Sequence, residues 1–113
     1  MSKPEPQTTL ILKPSSIHGV GVFTLCKIKK GEKVNLWHPR DYRFRKSCSR
    51  AEQRYCIEDK DGWHGPIDFH RMSIGWYLNH SKFPKLSVPD YRALRDIERG
   101  QELTINYQHL EEP

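Results

Sequence analysis

The sequence predicts a mainly β domain built from many short strands with little helix. Eight prolines and seven glycines in 113 residues punctuate the chain too often for long helices. Its apolar residues come in short alternating runs, the period of a half-buried strand. Hydrophobic content of 35% and a mean hydropathy of −0.82 leave a thin, aromatic-weighted core. A chain of this length makes one domain, burying roughly two thirds of its unfolded surface.

The elements follow in order. Residues 1–9 are polar, carry Pro4 and Pro6, and read as a flexible lead-in to a domain over 10–107. Leu10-Ile11-Leu12 is a first strand, stopped by Pro14. His18-Gly19-Val20-Gly21 is a turn feeding a strand through Thr24, with glycines that permit positive φ or close backbone approach. Ile28 to Glu32 turns about Gly31, and Lys33 to Trp37 is a strand ended by Pro39. Tyr42 to Arg45 alternates as a half-buried strand. Ser49 to Gln53 is one helical turn, with Ser49 as N-cap and Glu52 completing a capping box. Tyr55-Cys56-Ile57 is a strand, Lys60-Asp61-Gly62 a hairpin turn and Pro66 to Phe69 a further strand. A brief helix over His70 to Leu78 leads into the polar run Asn79-His80-Ser81. Tyr91 to Ile97 and Glu102 to Tyr107 are the last strands, joined by a turn at Glu98 to Gln101. Residues 108–113 form a short tail.

Composition excludes several functions. Neither the ~20 apolar residues of a membrane span nor the apolar core of a signal peptide occurs, so the chain reads as soluble and intracellular, cytoplasmic or nuclear. Cys26, Cys48 and Cys56 are odd in number and lack C-x-x-C spacing, which reads as reduced structural thiols. The six histidines show no metal-ligand spacing, so no metal is expected. The net charge of +5 is concentrated at Arg40, Arg43, Arg45, Lys46, Arg50 and Arg54, set against Asp41 and Glu52. Such a run is first a solvated face and only secondarily a surface for nucleic acid.

Trp76-Tyr77-Leu78-Asn79-His80-Ser81 passes from apolar to polar with no turn residue between. Polar groups at a core edge need partners, so the run either ties backbone together or awaits a polar ligand. Two other stretches favour the ligand. His18-Gly19-Val20-Gly21-Val22-Phe23 resembles the Gly-x-Gly-x-Phe opening of the SET domain. Tyr77-Leu78-Asn79-His80-Ser81 with Pro84 resembles its Phe-Ile-Asn-His-Ser-x-x-Pro core, and Gly100, Glu102, Leu103, Thr104 and Tyr107 match its ending. Tyr55 and Ile67-Asp68 fall where the family carries a tyrosine and an Ile-Asp pair.

The resemblance implies a β-clip fold of short curved sheets, with a C-terminal segment threaded as a pseudoknot. It also implies a protein-lysine methyltransferase using S-adenosylmethionine and acting on a histone or another lysine-bearing protein. By the same resemblance Tyr107 and Tyr55 are the catalytic residues. His18, Gly19, Val20, Gly21, Trp76, Asn79, His80 and Tyr107 would bind the cofactor, and Tyr55, Tyr77 and Ile105 would line the lysine channel. An aromatic channel suits the task, because it disfavours the charged amine and attracts a methylated ammonium.

The chain departs from the family at Lys85, Gln101 and Asn106, and carries Ile105 where phenylalanine is common. A lysine near a sulfonium is unhelpful, and the smaller Ile105 would enlarge the lysine pocket. Cysteine-rich flanks are missing, so the expectation is that the 108–113 tail, the substrate or a second copy of the chain closes the channel. The other reading is a SET-fold binding module without turnover, for a protein partner or nucleic acid. At +5 the chain suits a basic histone-like tail only where Glu58, Asp59, Asp61 and Asp68 make the groove acidic.

Overall fold

A computed structural model describes residues 9–111. In chain order its elements are β1 (Leu10–Pro14), β2 (Val20–Thr24), β3 (Arg43–Arg45), α1 (Arg50–Gln53), β4 (Ile57–Glu58), β5 (Trp63–Gly65), a 3-10 helix (Ile74–Tyr77), β6 (Asn79–His80), β7 (Glu102–Ile105) and a closing 3-10 helix (Tyr107–Glu111). The mainly β expectation holds. Contacts divide the chain into two units, one running to Asn35 and resuming at Leu78, the other Leu36–Tyr77.

The first unit carries a four-stranded sheet in the order β1-β2-β7-β6. β1 and β2 are antiparallel, from Leu10 opposite Thr24 to Pro14 opposite Val20. Their loop is closed by Ser15 N–H donating to the Gly19 carbonyl at 2.8 Å, with Gly19 at φ +45°. β7 lies antiparallel to β2, with Val22 opposite Leu103. β6 runs parallel to β7, with Asn79 opposite Thr104 and His80 opposite Ile105. This parallel pairing is how the C-terminal segment comes to lie beside the Asn-His-Ser run. Val22, Ile28, Val34, Leu78, Leu86, Ile97, Leu103 and Ile105 are buried in this unit, so the core sits under this sheet.

Two expected strands of this region are absent. Residues 33–37 and 91–97 show only the isolated bridges Lys33–Arg92, Leu86–Ala93 and Ile28–Ile97. Ala93 donates its N–H to the Glu32 carbonyl, whereas the next residue, Leu94, donates to Lys85. Neighbouring residues thus bond to different segments, and no ladder propagates. Tyr107 opens a 3-10 helix rather than ending the strand, with Asn106 Oδ1 accepting from Gln108 N–H at 3.0 Å.

The second unit holds a three-stranded sheet, β3-β5-β4. α1 has the expected capping box between Ser49 and Glu52. The expected strand at Tyr55 begins instead at Ile57, because Tyr55 and Cys56 N–H groups close the helix end on Glu52 and Gln53 carbonyls. The strand expected over 66–69 is displaced to Trp63–Gly65, directly after the hairpin at Gly62. Ile67 N–H goes to Asp41 Oδ1 at 3.0 Å rather than to a ladder. β3 is an edge strand with Tyr42 and Phe44 exposed, not half-buried as alternation implied. The helix over 70–78 shrinks to one 3-10 turn, where Gly75 packs so closely on Trp37 that a Cβ would come within 2.6 Å of its ring.

Asp41 organises this unit. Its Oδ2 accepts from Ser73 N–H at 2.7 Å, Ser73 Oγ at 2.6 Å and Trp76 Nε1 at 3.2 Å. Burial would raise the Asp41 pKa, but these donors outweigh it and hold the carboxyl below its ordinary value. Asp41→Ala strands the donors of Ser73, which is 1% exposed, and should cost about 2–3 kcal/mol in urea denaturation. Because the folded pKa is depressed, that contribution is full above the unfolded value of 3.8 and fades as pH falls through the folded one. The difference between variant and wild type should therefore shrink in acid.

Candidate functional site

The site grows from β6, where Asn79 is 6% exposed on a two-residue strand. Its Nδ2 donates to the His18 carbonyl at 3.0 Å, the Val20 carbonyl at 3.2 Å and Glu102 Oε2 at 2.8 Å. One amide thus joins the glycine loop to β7. Three acceptors around a group with two hydrogens also fix its orientation, since the amide oxygen in that position would repel all three. Asn79 Oδ1 takes no hydrogen bond among the described residues.

Glu102 is 8% exposed, and its other oxygen accepts from Ser15 Oγ at 2.7 Å. A Cβ on Gly21 would lie 2.2 Å from Glu102 Oε2 and 3.1 Å from Asn79 Nδ2, so this glycine is a close-approach position. Gly19 differs: its φ is positive, and an added Cβ meets nothing within 4 Å. The loop at His18 and Gly19 is open outward.

His80 Nδ1 accepts the Tyr107 backbone N–H at 3.0 Å, which puts the neutral ring's proton on Nε2. Nε2 has no partner among the described residues. The His80 and Tyr107 rings stand 5.3 Å apart, and the Tyr107 hydroxyl donates to the Leu78 carbonyl. Burial, then the nearby Glu102 charge, raises the Tyr107 pKa above its ordinary value. Lys85 Nζ donates to the Glu102 carbonyl at 2.8 Å; burial, then Arg95, lowers its pKa against the pull of Glu102.

His18, Gly19, Val20, Gly21, Asn79, His80, Ile105 and Tyr107 therefore all belong to the first unit. Ile105 is buried, opposite His80. Tyr55, Tyr77 and Trp76 belong to the second. There Tyr55 is exposed, with its ring 6.0 Å from Phe69, and the Tyr77 hydroxyl lies 3.7 Å from Met72 Sδ. Trp76 stands edge-on to Trp37 at 4.8 Å and donates to Asp41, which gives it a packing role within this unit.

The sequence reading missed Ser15 and Glu102 as site members. Ser15 meets Glu102 across 87 residues, a contact that only the β2–β7 register creates. Asp59, considered as groove acidity, closes the hairpin instead, accepting from Asp61 and Gly62 N–H and bonding His64 Nε2 at 2.5 Å. Arg45 of the basic run is engaged with the Pro66 carbonyl at 2.8 Å and over the Phe69 ring at 4.9 Å. Among the described residues, no group of three metal-ligating side chains occurs.

The sequence model of the SET domain matches residues 19–108, spanning the glycine loop, Asn79-His80 and Tyr107. The chain belongs to the SET-domain family. A crystal structure of a Plasmodium falciparum protein, named for an inferred histone methyltransferase activity, is similar over 92% of this chain and 96% of that one. With 24% identity and a TM-score of 0.57, that likeness speaks for the fold. No curated protein sequence matches the chain. No helix among the described residues is long and apolar enough to cross a membrane.

SET-domain proteins are typically protein-lysine methyltransferases that use S-adenosylmethionine. The residues present fit such a cofactor: an outward-open glycine loop and, among the described residues, an amide acceptor on Asn79 and an imidazole donor on His80 that have no partner. The two glycines should respond differently to substitution. Gly19→Asn keeps a residue that tolerates left-handed backbone and should cost under about 1 kcal/mol. Gly21→Ala must push apart Glu102 and Asn79 and should cost about 2–3 kcal/mol. Equal losses in chemical denaturation would count against the close approach at Gly21.

Proposed function

We propose that the chain is an S-adenosylmethionine-dependent methyltransferase acting on lysine side chains of a histone or another protein. The observation that carries this is the convergence of the glycine loop, Asn79, His80 and Tyr107 in one unit, through a single amide and the β6–β7 pairing. The cofactor would supply an electrophilic methyl on a sulfonium. His18, Gly19 and Val20 backbone, Asn79 Oδ1 and His80 Nε2–H would hold it.

Tyr107 then does the orienting. Its proton points at the Leu78 carbonyl, which leaves the phenol oxygen's lone pairs as acceptors. Such an oxygen can take an N–H of the incoming amine and aim the nitrogen lone pair at the methyl carbon. It can also accept weak C–H bonds from the polarised methyl, a smaller effect. With its pKa raised, the phenol stays protonated at neutral pH, so Tyr107 positions the amine rather than taking its proton. The nucleophile must arrive neutral, and free lysine titrates near ~10.4.

A second reading, a binding module without turnover, is favoured by one feature, the part-buried Lys85 ammonium bonded to Glu102 beside Asn79. Labelled S-adenosylmethionine with mixed histones and with cell lysate separates the two. Methyl transfer by the wild type should fall roughly 100–1,000-fold in Tyr107→Phe, as for loss of one positioned hydrogen-bond group. The rate should rise with pH as the substrate amine loses its proton, with no falling limb from Tyr107 below about pH 10. Undiminished transfer by Tyr107→Phe would reject the assignment, and cofactor binding without transfer would favour the module.

A further inference from the structure

Glu102 is a charged group that the orienting role of Tyr107 leaves unused. Its carboxylate is buried, and its hydrogen bonds come from the neutral donors Ser15 Oγ and Asn79 Nδ2. No ion pair reaches it among the described residues. Both carboxylate oxygens accept from neutral donors, which oppose its charge with none of their own, and burial removes the water that would screen that charge. That charge lies directly behind the glycine loop, since a Cβ on Gly21 would fall 2.2 Å from Oε2. The same Asn79 amide continues to the His18 and Val20 carbonyls. The charge is felt nearby, at the Tyr107 hydroxyl and at Lys85. Lys85 brings the opposing charge, its Nζ lying 2.8 Å from the Glu102 carbonyl oxygen.

We propose that Glu102 and Lys85 set the charge selectivity of the methyl-donor site, the buried carboxylate favouring a cationic sulfonium and the ammonium opposing it. The inference rests on the reading above that the glycine loop and Asn79 hold S-adenosylmethionine. Before transfer the donor carries a positive sulfonium. Afterwards the methyl has left with that charge, and the neutral thioether S-adenosylhomocysteine remains. The two ligands share every hydrogen-bonding group, so shape and polar contacts distinguish them poorly. A nearby fixed charge distinguishes them directly. Glu102 would hold the donor and let the spent product go, and Lys85 would weaken that discrimination.

Titration calorimetry with the sulfonium and the thioether as separate ligands tests this without turnover. Glu102→Gln removes the charge while keeping the shape. Its Oε1 can still accept from Asn79, and its Nε2 can donate to Ser15 Oγ once that hydroxyl turns. The ratio of sulfonium to thioether affinity should fall roughly tenfold in this variant, the scale of one unit charge acting through a partly buried site. Lys85→Met keeps the apolar stem and should raise the same ratio several-fold. A merely structural role would weaken both ligands together and leave the ratio unchanged. Ratios within about twofold of wild type in both variants overturn the proposal while leaving the binding site itself standing. Wild-type protein that binds neither ligand overturns both. Should Glu102→Gln fail to fold, the direction of the Lys85→Met shift decides.

Discussion

The structure depends on one side-chain amide. Asn79 Nδ2 reaches two carbonyls of the first loop and the carboxylate of β7, so three distant stretches meet at a single nitrogen. The constraint runs through every neighbour. Gly21 must lack a side chain because Glu102 and Asn79 fill the space where its Cβ would be. Glu102 can be buried because Ser15 and Asn79 satisfy it. Parallel pairing of β6 with β7 then delivers His80 to the backbone of Tyr107. An apolar residue at 79 would leave a buried carboxylate short of a donor, a cost of several hydrogen bonds' worth rather than one.

The same economy shapes the ligand side of the site. Among the described residues, Asn79 spends its donor side on the fold and keeps its acceptor side, and His80 does the reverse, spending Nδ1 and keeping Nε2–H. Each residue has one side bound into the fold and one side without a partner among the described residues. Had both faces been consumed, the cluster would be purely structural; had neither been, its orientation would be loose. The division fits a site whose polar groups are preorganised by the protein before anything binds.

Much of this was legible in the sequence, for a physical reason. The glycine pair, the Asn-His-Ser run and Tyr107 are residue types whose presence is hard to explain by core packing alone, so they stand out without a structure. The capping box on α1 was equally plain, because it is a contact over three residues. What stayed hidden depends on long-range register. Residues 91–97 alternate like a strand, yet their backbone bonds are shared between residues 28–34 and 85–87, which no local pattern encodes. Trp76 was expected beside the cofactor on the family resemblance alone; its indole partner, Asp41, lies 35 residues earlier, which no local pattern shows. Ser15 carried no signal, because a serine at a loop start is ordinary until β2 brings Glu102 across from it.

A raised Tyr107 pKa narrows the chemistry further. A phenol acting as base would need its proton removed easily, and both burial and Glu102 act against that. The hydroxyl proton is also occupied with the Leu78 carbonyl. On the proposed methyltransferase reading, a substrate ammonium would therefore lose its proton elsewhere, either to water before the amine is enclosed or because an apolar channel disfavours the charged form. Glu102 would act on both charges in the same direction with opposite consequences, favouring the positive sulfonium but also stabilising any lysine ammonium that reached the same region. Separating those effects calls for the carboxylate to stand behind the loop that would hold the donor, and the observed burial beneath Gly21 places it there.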